Sequence, residues 1–271
     1  MNDSDGLRER LLERIRGGDY ADTADFDELA RAVFAHQFAC NAPYRLYCER
    51  RGASPDSVSS WEEIPAVPTD AFKAAALVCG DPRAAAATFR TSGTTAGTEL
   101  RGTHYLPSLA LYDAALRAGF VRHLLPDRKP IRLLSLVPRA DEVRDSSLSH
   151  MAAEVIGDFG AEGSGWFISA EFGIAGDEWA AALRRAEEEG APVCVLGTAF
   201  ALVHALDAMR ARGESFRLPS GSRLMDTGGF KGRAREVTRG ELYGAIHDRL
   251  RIGPEWCVNE YGMTEMSSQF Y

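Results

Sequence analysis

The chain has 271 residues, of which 45% are hydrophobic and 26% charged, enough for one large domain or a large domain with a small helical annex. With 39 acidic and 31 basic residues the net charge is −8, which argues against non-specific nucleic-acid binding. The first twenty residues hold no apolar signal-peptide core, and no apolar run is long enough to cross a membrane. We therefore expect a cytoplasmic protein with no nucleic-acid partner and no membrane span.

Five cysteines are scattered along the chain: Cys40, Cys48, Cys79, Cys194 and Cys257. Their number is odd, and none of them forms a CxxC pair. This spacing predicts neither a zinc site nor a disulfide framework, so we expect reduced thiols.

The first eighty residues predict a helical segment. Helices are expected over 7–15, 25–40 and 41–51, with Asp25 as the N-cap of the second and Gly52 just past the end of the third. Pro65 and Pro68 then force an extended connection. We place a boundary near residue 80, which divides the chain into a helical segment, 1–80, and a second region, 81–271.

The second region predicts alternating strands and helices. The strands are expected over 87–90, 131–137, 166–169, 192–196, 223–225 and 256–258, and the helices over 107–125, 177–189, 200–212 and 238–250. Asp177 is a predicted N-cap, and Thr238 and Glu241 have the spacing of a capping box. This order predicts an α/β fold with mainly parallel sheets flanked by helices.

A run of small and hydroxylated residues, TSGTTAGT, begins at Thr91 directly after the predicted strand 87–90. Glycines let the backbone close around an anion, and the backbone N–H groups and hydroxyls of such a loop bind phosphate oxygens. The Gly-Lys-Ser/Thr ending of a Walker A loop is missing. The alternative is a flexible linker, but the position directly after an apolar strand favours a phosphate loop.

A second motif, NEYGMTE, spans residues 259–265 and follows the predicted strand 256–258. In open α/β sheets, ligands bind beyond the carboxyl ends of the strands. Tyr261 is suited to stacking on a base, Thr264 to bonding a phosphate and Glu265 to holding Mg²⁺. Taken alone, the segment is an ordinary strand-to-turn sequence, and its significance comes from its pairing with the first motif.

Together the two motifs resemble the core motifs of the adenylate-forming superfamily, which includes acyl-CoA synthetases, peptide-synthetase adenylation domains and luciferases. The chain is most similar to the acyl-protein synthetases of bacterial bioluminescence (LuxE type), with phenylacetate–CoA ligases as neighbours. The supporting blocks occur in the family's order: IPAVP with Phe72 and Lys73, TSGTT, TGGFK at 227–231, and NEYGMTE. The resemblance covers residues 64–271 and implies the large N-terminal domain of the adenylate-forming fold.

The resemblance also implies roles for individual residues. The loop that orders the β- and γ-phosphates of ATP would consist of Thr91, Ser92, Gly93, Thr94, Thr95 and Gly97. The purine would lie between the glycine pair, Gly228 and Gly229, and the segment Tyr261–Gly262. Thr264 would touch the α-phosphate and Glu265 would coordinate Mg²⁺. Lys231 would face the carboxylate or phosphate; the alternative is a surface lysine.

Two departures from the family pattern stand out. The loop is followed by TELRG where most of the superfamily has Pro-Lys-Gly, so either Arg101 replaces that lysine or the position is dispensable. The chain also ends six residues after Glu265, before the family's ribose-binding aspartate and its small C-terminal domain with a catalytic lysine. We expect an incomplete adenylation domain, either a fragment or one completed by another polypeptide, that binds nucleotide but turns over poorly.

The implied reaction joins a carboxylic acid, most simply a fatty acid, to ATP to give an acyl-adenylate and pyrophosphate. The acyl group would then pass to a thiol, which is a protein cysteine, CoA or a carrier pantetheine, and an acyl reductase is the implied partner. The alternatives are a CoA ligase of the phenylacetate type and a non-catalytic module that binds nucleotide or acyl groups.

Overall fold

The computed structural model describes residues 3–18, 23–91, 101–228 and 237–271. The chain divides into two compact units, Met1–Ala118 with Met263–Ser268, and Gly119–Gly262 with Gln269–Tyr271. Residue 80 lies inside the first unit, and the boundary that the sequence predicts there stays a prediction. No helix within the described ranges has the length and apolar character needed to cross a membrane.

The first unit begins with helices. They are α1 (Asp3–Gly17), α2 (Thr23–Cys40), α3 (Ala42–Glu49) and α4 (Ala71–Ala74), with 3₁₀ turns at Trp61–Glu63 and Pro82–Ala84. Asn41 caps α3, since its side chain accepts a hydrogen bond from the Tyr44 backbone N–H at 3.2 Å. The prediction of Asp25 as an N-cap was wrong: α2 begins at Thr23, and Asp25 lies in its first turn, where the positive end of the helix dipole also favours a carboxylate.

A two-stranded antiparallel hairpin follows in the same unit. Its strands are β1 (Ala87–Arg90) and β2 (Thr103–Leu106), and helix α5 (Ala110–Leu124) comes next in the chain. The predicted strand at 87–90 and the helix predicted over 107–125 are confirmed, the helix with a later start. The sequence analysis did not predict β2, whose polar residues are typical of a half-exposed strand.

The second unit is built on a six-stranded sheet of order β10-β9-β8-β7-β3-β4. Its strands are β3 (Arg132–Leu136), β4 (Gly165–Trp166), β7 (Val193–Thr198), β8 (Arg223–Thr227), β9 (Cys257–Gly262) and β10 (Gln269–Phe270), and a small separate hairpin joins β5 (Ile168–Ser169) to β6 (Gly173–Ile174). Only β10 pairs antiparallel within the six-stranded sheet. The predicted mainly parallel α/β architecture is confirmed.

Helices of the second unit cover this sheet. They are α6 (Ser147–Phe159), α7 (Gly176–Glu189), α8 (Ala199–Ala211) and α9 (Arg239–Leu250), of which α6 was not predicted. All five residues of β8 are buried, as in a strand covered on both faces. The capping box of α9 is confirmed, with both of its hydrogen bonds present. Asp177 was wrongly assigned as an N-cap, because α7 begins at Gly176 and Asp177 lies within the first turn.

One cysteine pair corrects the sequence analysis. Cys40 at the end of α2 and Cys79 before β1 form a disulfide, with their Cα atoms 4.8 Å apart. Thirty-nine residues separate them, so the pairing depends on the long-range fold and leaves no signal in local spacing. Cys48, Cys194 and Cys257 are free thiols.

Candidate nucleotide-binding site

The NEYGMTE motif is divided between the two units. Its first half, 259–262, forms the end of β9, which corrects the prediction that the motif follows the strand. Thr264–Met266 is a 3₁₀ turn that belongs to the first unit.

In the second unit, an open cavity of about 450 Å³ adjoins β9 and β10. It is lined by Arg239, Tyr243, Cys257, Val258, Asn259, Tyr261, Phe270 and Tyr271. Tyr261 is 56% exposed and Phe270 54% exposed, unusual for large apolar rings and suited to stacking a planar ligand. Arg239 adds a positive charge. The cavity therefore combines aromatic surfaces with polar groups, as small-molecule sites do.

A buried carboxylate organises the wall of this cavity. Asp226 near the end of β8 accepts a hydrogen bond from the Tyr243 hydroxyl at 2.6 Å and one from the Asn259 side-chain amide at 2.8 Å. The Asn259 side-chain oxygen accepts a third bond from Arg239 at 2.7 Å. Burial is the largest cause that raises the pKa of Tyr243, and the hydrogen bond to Asp226 is the second largest. The phenol thus stays a donor, and the chain of bonds fixes Asn259 at the cavity.

A second buried carboxylate, Glu260, lies beside this network. The Thr227 hydroxyl at the end of β8 donates a short hydrogen bond to it. Burial raises the pKa of Glu260, the bond from Thr227 opposes that effect, and the nearby Asp226 adds to it. Burial likewise raises the pKa of the Cys257 thiol to about 12, so it is not a nucleophile at neutral pH.

Gly228, the residue that follows β8, has the backbone geometry expected where a ligand packs directly against the main chain. Gly228 has a φ of 73°, in the left-handed region that favours glycine. Among the described residues, no atom lies within 4 Å of a Cβ built on it, and Gly228 is exposed. Gly229 and Lys231 lie outside the described residues.

In the first unit, the structure describes the base of the predicted phosphate loop. The Thr91 N–H donates to the Gly102 carbonyl at 2.9 Å, and the Gly102 N–H donates to the Thr91 hydroxyl at 2.9 Å. The Arg101 guanidinium donates to the Thr91 carbonyl at 2.6 Å and to the Arg90 carbonyl at 3.2 Å. A Cβ on Gly102 would approach Thr91 to 3.1 Å and Phe72 to 3.3 Å, which explains the glycine. Ser92, Gly93, Thr94, Thr95 and Gly97 lie outside the described residues.

The turn that carries Thr264 and Glu265 is held by a histidine of β2. The Nδ1 atom of His104 lies 2.7 Å from the Thr264 carbonyl oxygen, and its Nε2 atom lies 3.4 Å from the Ser267 hydroxyl. Phe72 packs on the imidazole, with ring centroids 5.2 Å apart. Burial lowers the pKa of His104. The hydrogen bond to Thr264 and the negative charge of Glu265 both raise this pKa, but by less than burial lowers it. A neutral imidazole that donates from Nδ1 to Thr264 and accepts at Nε2 from Ser267 fits these contacts.

The half-buried Glu265 offers a single carboxylate in this turn. Within the described part of the chain, Glu265 belongs to no group of three or more histidine, cysteine or acidic side chains placed to hold a metal. One carboxylate together with substrate phosphates is how proteins commonly hold Mg²⁺, so this donor set fits that ion.

Several groups were not predicted from the sequence: Asp226, Arg239, Tyr243 and Asn259 at the cavity of the second unit, and His104 beside the turn of the first unit. Asp226 and Tyr243 carry no motif, because they meet only when α9 packs on the sheet. Asn259 stands inside the NEYGMTE motif, and His104 lies seven residues after Gly97, the last residue of the loop. A polar residue at the end of an apolar strand, as Asp226 is in RLMDT, was the available signal.

Comparison with solved structures supports the fold. A 2-hydroxyisobutyryl-CoA ligase in an open conformation, in complex with 2-HIB-AMP and CoA, matches 91% of this chain and 52% of its own with a TM-score of 0.58 and 17% identity. An ATP-bound RpMatB–BxBclM chimera matches 70% of this chain and 31% of its own, with a TM-score of 0.42 and 13% identity. The chain thus spans about half the length of the ligase.

The sequence comparisons give the family. No curated protein sequence matches at a significant level. The family model of the acyl-protein synthetase LuxE matches residues 24–269, nearly the whole chain. The chain therefore belongs to the LuxE acyl-protein synthetase family.

Proposed function

We propose that this chain binds ATP with Mg²⁺ and activates a carboxylic acid as its acyl-adenylate, with release of pyrophosphate. The observation that carries the proposal is the aromatic-lined cavity beside β9, where the exposed ring of Tyr261 borders a hydrogen-bonded polar network. Stacking of a base on an aromatic side chain contributes about 1–3 kcal/mol. Membership of the LuxE family supplies the reaction class.

The residue roles extend the family pattern to these positions. The loop from Thr91 to Gly97 binds the β- and γ-phosphates, and the purine lies between the Gly228–Gly229 backbone and Tyr261, next to Gly262. Thr264 bonds the α-phosphate. Glu265 holds Mg²⁺, which neutralises phosphate charge when bound. In-line attack of a carboxylate on the α-phosphate needs mainly positioning and charge neutralisation, which these groups supply.

Two cations complete the proposed machinery. Arg101 fixes the base of the loop through backbone carbonyls and brings a positive charge to the phosphates. Lys231 follows the glycine pair, and we assign it to the carboxylate or the α-phosphate. We further propose that residues 1–80 form a helical segment and 81–271 the ATP- and acyl-binding region.

For the substrate and acceptor, we propose a fatty acid and a protein cysteine, with an acyl reductase as the protein that consumes the product. Transfer to CoA is the second candidate, because the 2-hydroxyisobutyryl ligase, which shares the fold, binds CoA. A nucleotide-binding module without catalysis is the third. Because ATP is a cytoplasmic substrate, the proposed function places the protein in the cytoplasm.

The test is carboxylate-dependent exchange of pyrophosphate into ATP, with a panel of fatty and aryl acids. We expect exchange with at least one acid, a loss of about 100-fold or more in Glu265→Gln, and wild-type rates in Glu188→Gln on the exposed face of α7. If Glu265→Gln keeps the wild-type rate and Mg²⁺ optimum, Glu265 is not the ligand. Binding of ATP without exchange for any acid indicates the non-catalytic module.

A further inference from the structure

Two cysteines and a histidine from separate segments of the first unit meet at the end of α2. Cys40 is the last residue of α2, and His36 lies one turn earlier on the same helix face. Cys79 comes from the segment before β1. One ligand atom from each residue lies within 4.8 Å of the other two, and no other such group of three occurs in the described part of the chain. This cluster is independent of the proposed nucleotide site.

The distances in this cluster match those of a metal site. The Cys40 Sγ and His36 Nε2 atoms are 3.5 Å apart. A tetrahedral Zn²⁺ with Zn–S of about 2.3 Å and Zn–N of about 2.0–2.1 Å places its sulfur and nitrogen ligands about 3.6 Å apart. The histidine and the first cysteine are therefore already at ligand spacing on one rigid helix. Only the two sulfur atoms, now bonded to each other, have to separate.

We propose that reduction of the Cys40–Cys79 disulfide converts this cluster into a binding site for Zn²⁺ or a similar divalent cation. A dithiol reductant supplies two electrons and two protons, so the disulfide becomes two thiols and the reductant becomes a cyclic disulfide. The cation then displaces the two thiol protons and binds the Sγ atoms of Cys40 and Cys79 and Nε2 of His36. Water fills the fourth position, because the three residues supply three ligands.

The disulfide and the bound metal are then alternative links between the same two segments. Each joins the carboxyl end of α2 to the stretch that leads into β1 and the loop after it. The other cysteines differ, since Cys48 and Cys194 are buried and Cys257 lies at the cavity of the second unit. Because the metal binds thiolates, its binding to the reduced cysteines releases the two thiol protons. Metal binding and oxidation compete for the same sulfur atoms, so the redox state decides which link forms.

The experiment uses Co²⁺ as the probe for a Zn²⁺ site, on the full chain before and after treatment with a dithiol. Thiol titration should count three free thiols before reduction and five after it. The reduced protein should then bind one Co²⁺ with a sulfur-to-cobalt charge-transfer band that Zn²⁺ removes. Cys79→Ser and His36→Gln should each weaken binding by at least about 100-fold, because loss of even an outer-shell partner costs 10- to 100-fold. His247→Gln, an exposed histidine of α9, is the matched control and should bind as wild type.

Three results would overturn the proposal. The first is a folded, fully reduced protein that gives no charge-transfer band with Co²⁺. The second is a band that persists in Cys79→Ser, which means adventitious binding. The third is a disulfide that no dithiol opens in the folded protein, since the ligands then never form. If Cys79→Ser fails to fold, reduced wild type capped with N-ethylmaleimide replaces it, and a remaining band has the same meaning.

Discussion

Two regions carry residues that are candidates for binding nucleotide: the ends of strands β8 and β9, and the β1–β2 hairpin. The two regions hold these residues in place in different ways. At β8 and β9, a buried side chain, Asp226, fixes Tyr243 and Asn259 within a sheet covered by helices. At the hairpin, one backbone hydrogen bond and one bond to the Thr91 hydroxyl join Thr91 to Gly102 and close the base of the loop, next to a two-stranded sheet. Substitutions in the buried network around Asp226 should therefore act mainly on folding stability, and those at the hairpin mainly on ligand binding and rate.

The largest expected effect is on stability at Asp226. Asp226→Ala leaves the Tyr243 hydroxyl and the Asn259 amide without their buried acceptor, and we expect a loss of about 3 kcal/mol in the free energy of unfolding. Urea denaturation followed by circular dichroism measures it. The control, Asp248→Ala on the exposed face of α9, should change stability by less than about 0.5 kcal/mol. A loss of similar size in both variants would mean that the network does not stabilise the sheet.

A smaller effect, on rate, is expected at His104. His104→Ala removes the donor to the Thr264 carbonyl, so the turn with Thr264 and Glu265 loses its position, and pyrophosphate exchange should fall about 10-fold. His104→Asn carries an amide nitrogen near the place of Nδ1 and should restore much of the rate. Equal rates for the alanine and asparagine variants, both folded, would rule out the positioning role.

The smallest expected effect is the pH dependence of stability at Glu260. The folded state raises the pKa of this carboxyl through burial, so below pH 4.5 it is protonated in both the folded and the unfolded state. As pH rises, the unfolded chain releases the proton first, and the stability of the wild type falls until the folded pKa is passed. Glu260→Gln lacks this loss and should match the wild type within about 0.5 kcal/mol at pH 4.5 but exceed it at pH 7. A constant difference from pH 4.5 to pH 7 in paired urea titrations would contradict the assignment.

The sequence predicted the fold where local patterns decide it. The apolar runs of β3 and β7 and the capping box of α9 are local features, and each was found. Strand β2 and the disulfide were missed, because a strand such as THYL depends on its partner and Cys40 meets Cys79 only across 39 residues. The motif residues could be recognised because motifs, too, are local patterns. The role of Asp226 could not, because it depends on hydrogen bonds from Tyr243 and Asn259 that form only in the folded chain.

Candidate residues of both regions were found in two ways, some from motifs and some from the structure. Tyr261 and Gly228 came from motifs, and the structure gives them an exposed ring and a left-handed backbone. His104 came from geometry alone, since a histidine seven residues after the loop has no assigned meaning until its contact with Thr264 is seen. The motifs therefore gave the residues that we propose to contact the ligand, and the structure added the residues that hold them in place.

The central claim is that this chain binds Mg²⁺-ATP through Tyr261 and the loop that follows β1, and calorimetric titration tests it most directly. Wild type should bind one Mg²⁺-ATP. Tyr261→Ala should bind about 10- to 100-fold more weakly through lost stacking, and the double variant Thr94→Ala/Thr95→Ala should lose about 2–4 kcal/mol through two charge-assisted hydrogen bonds. Unchanged affinity in both variants, or no binding by folded wild type, would contradict the account.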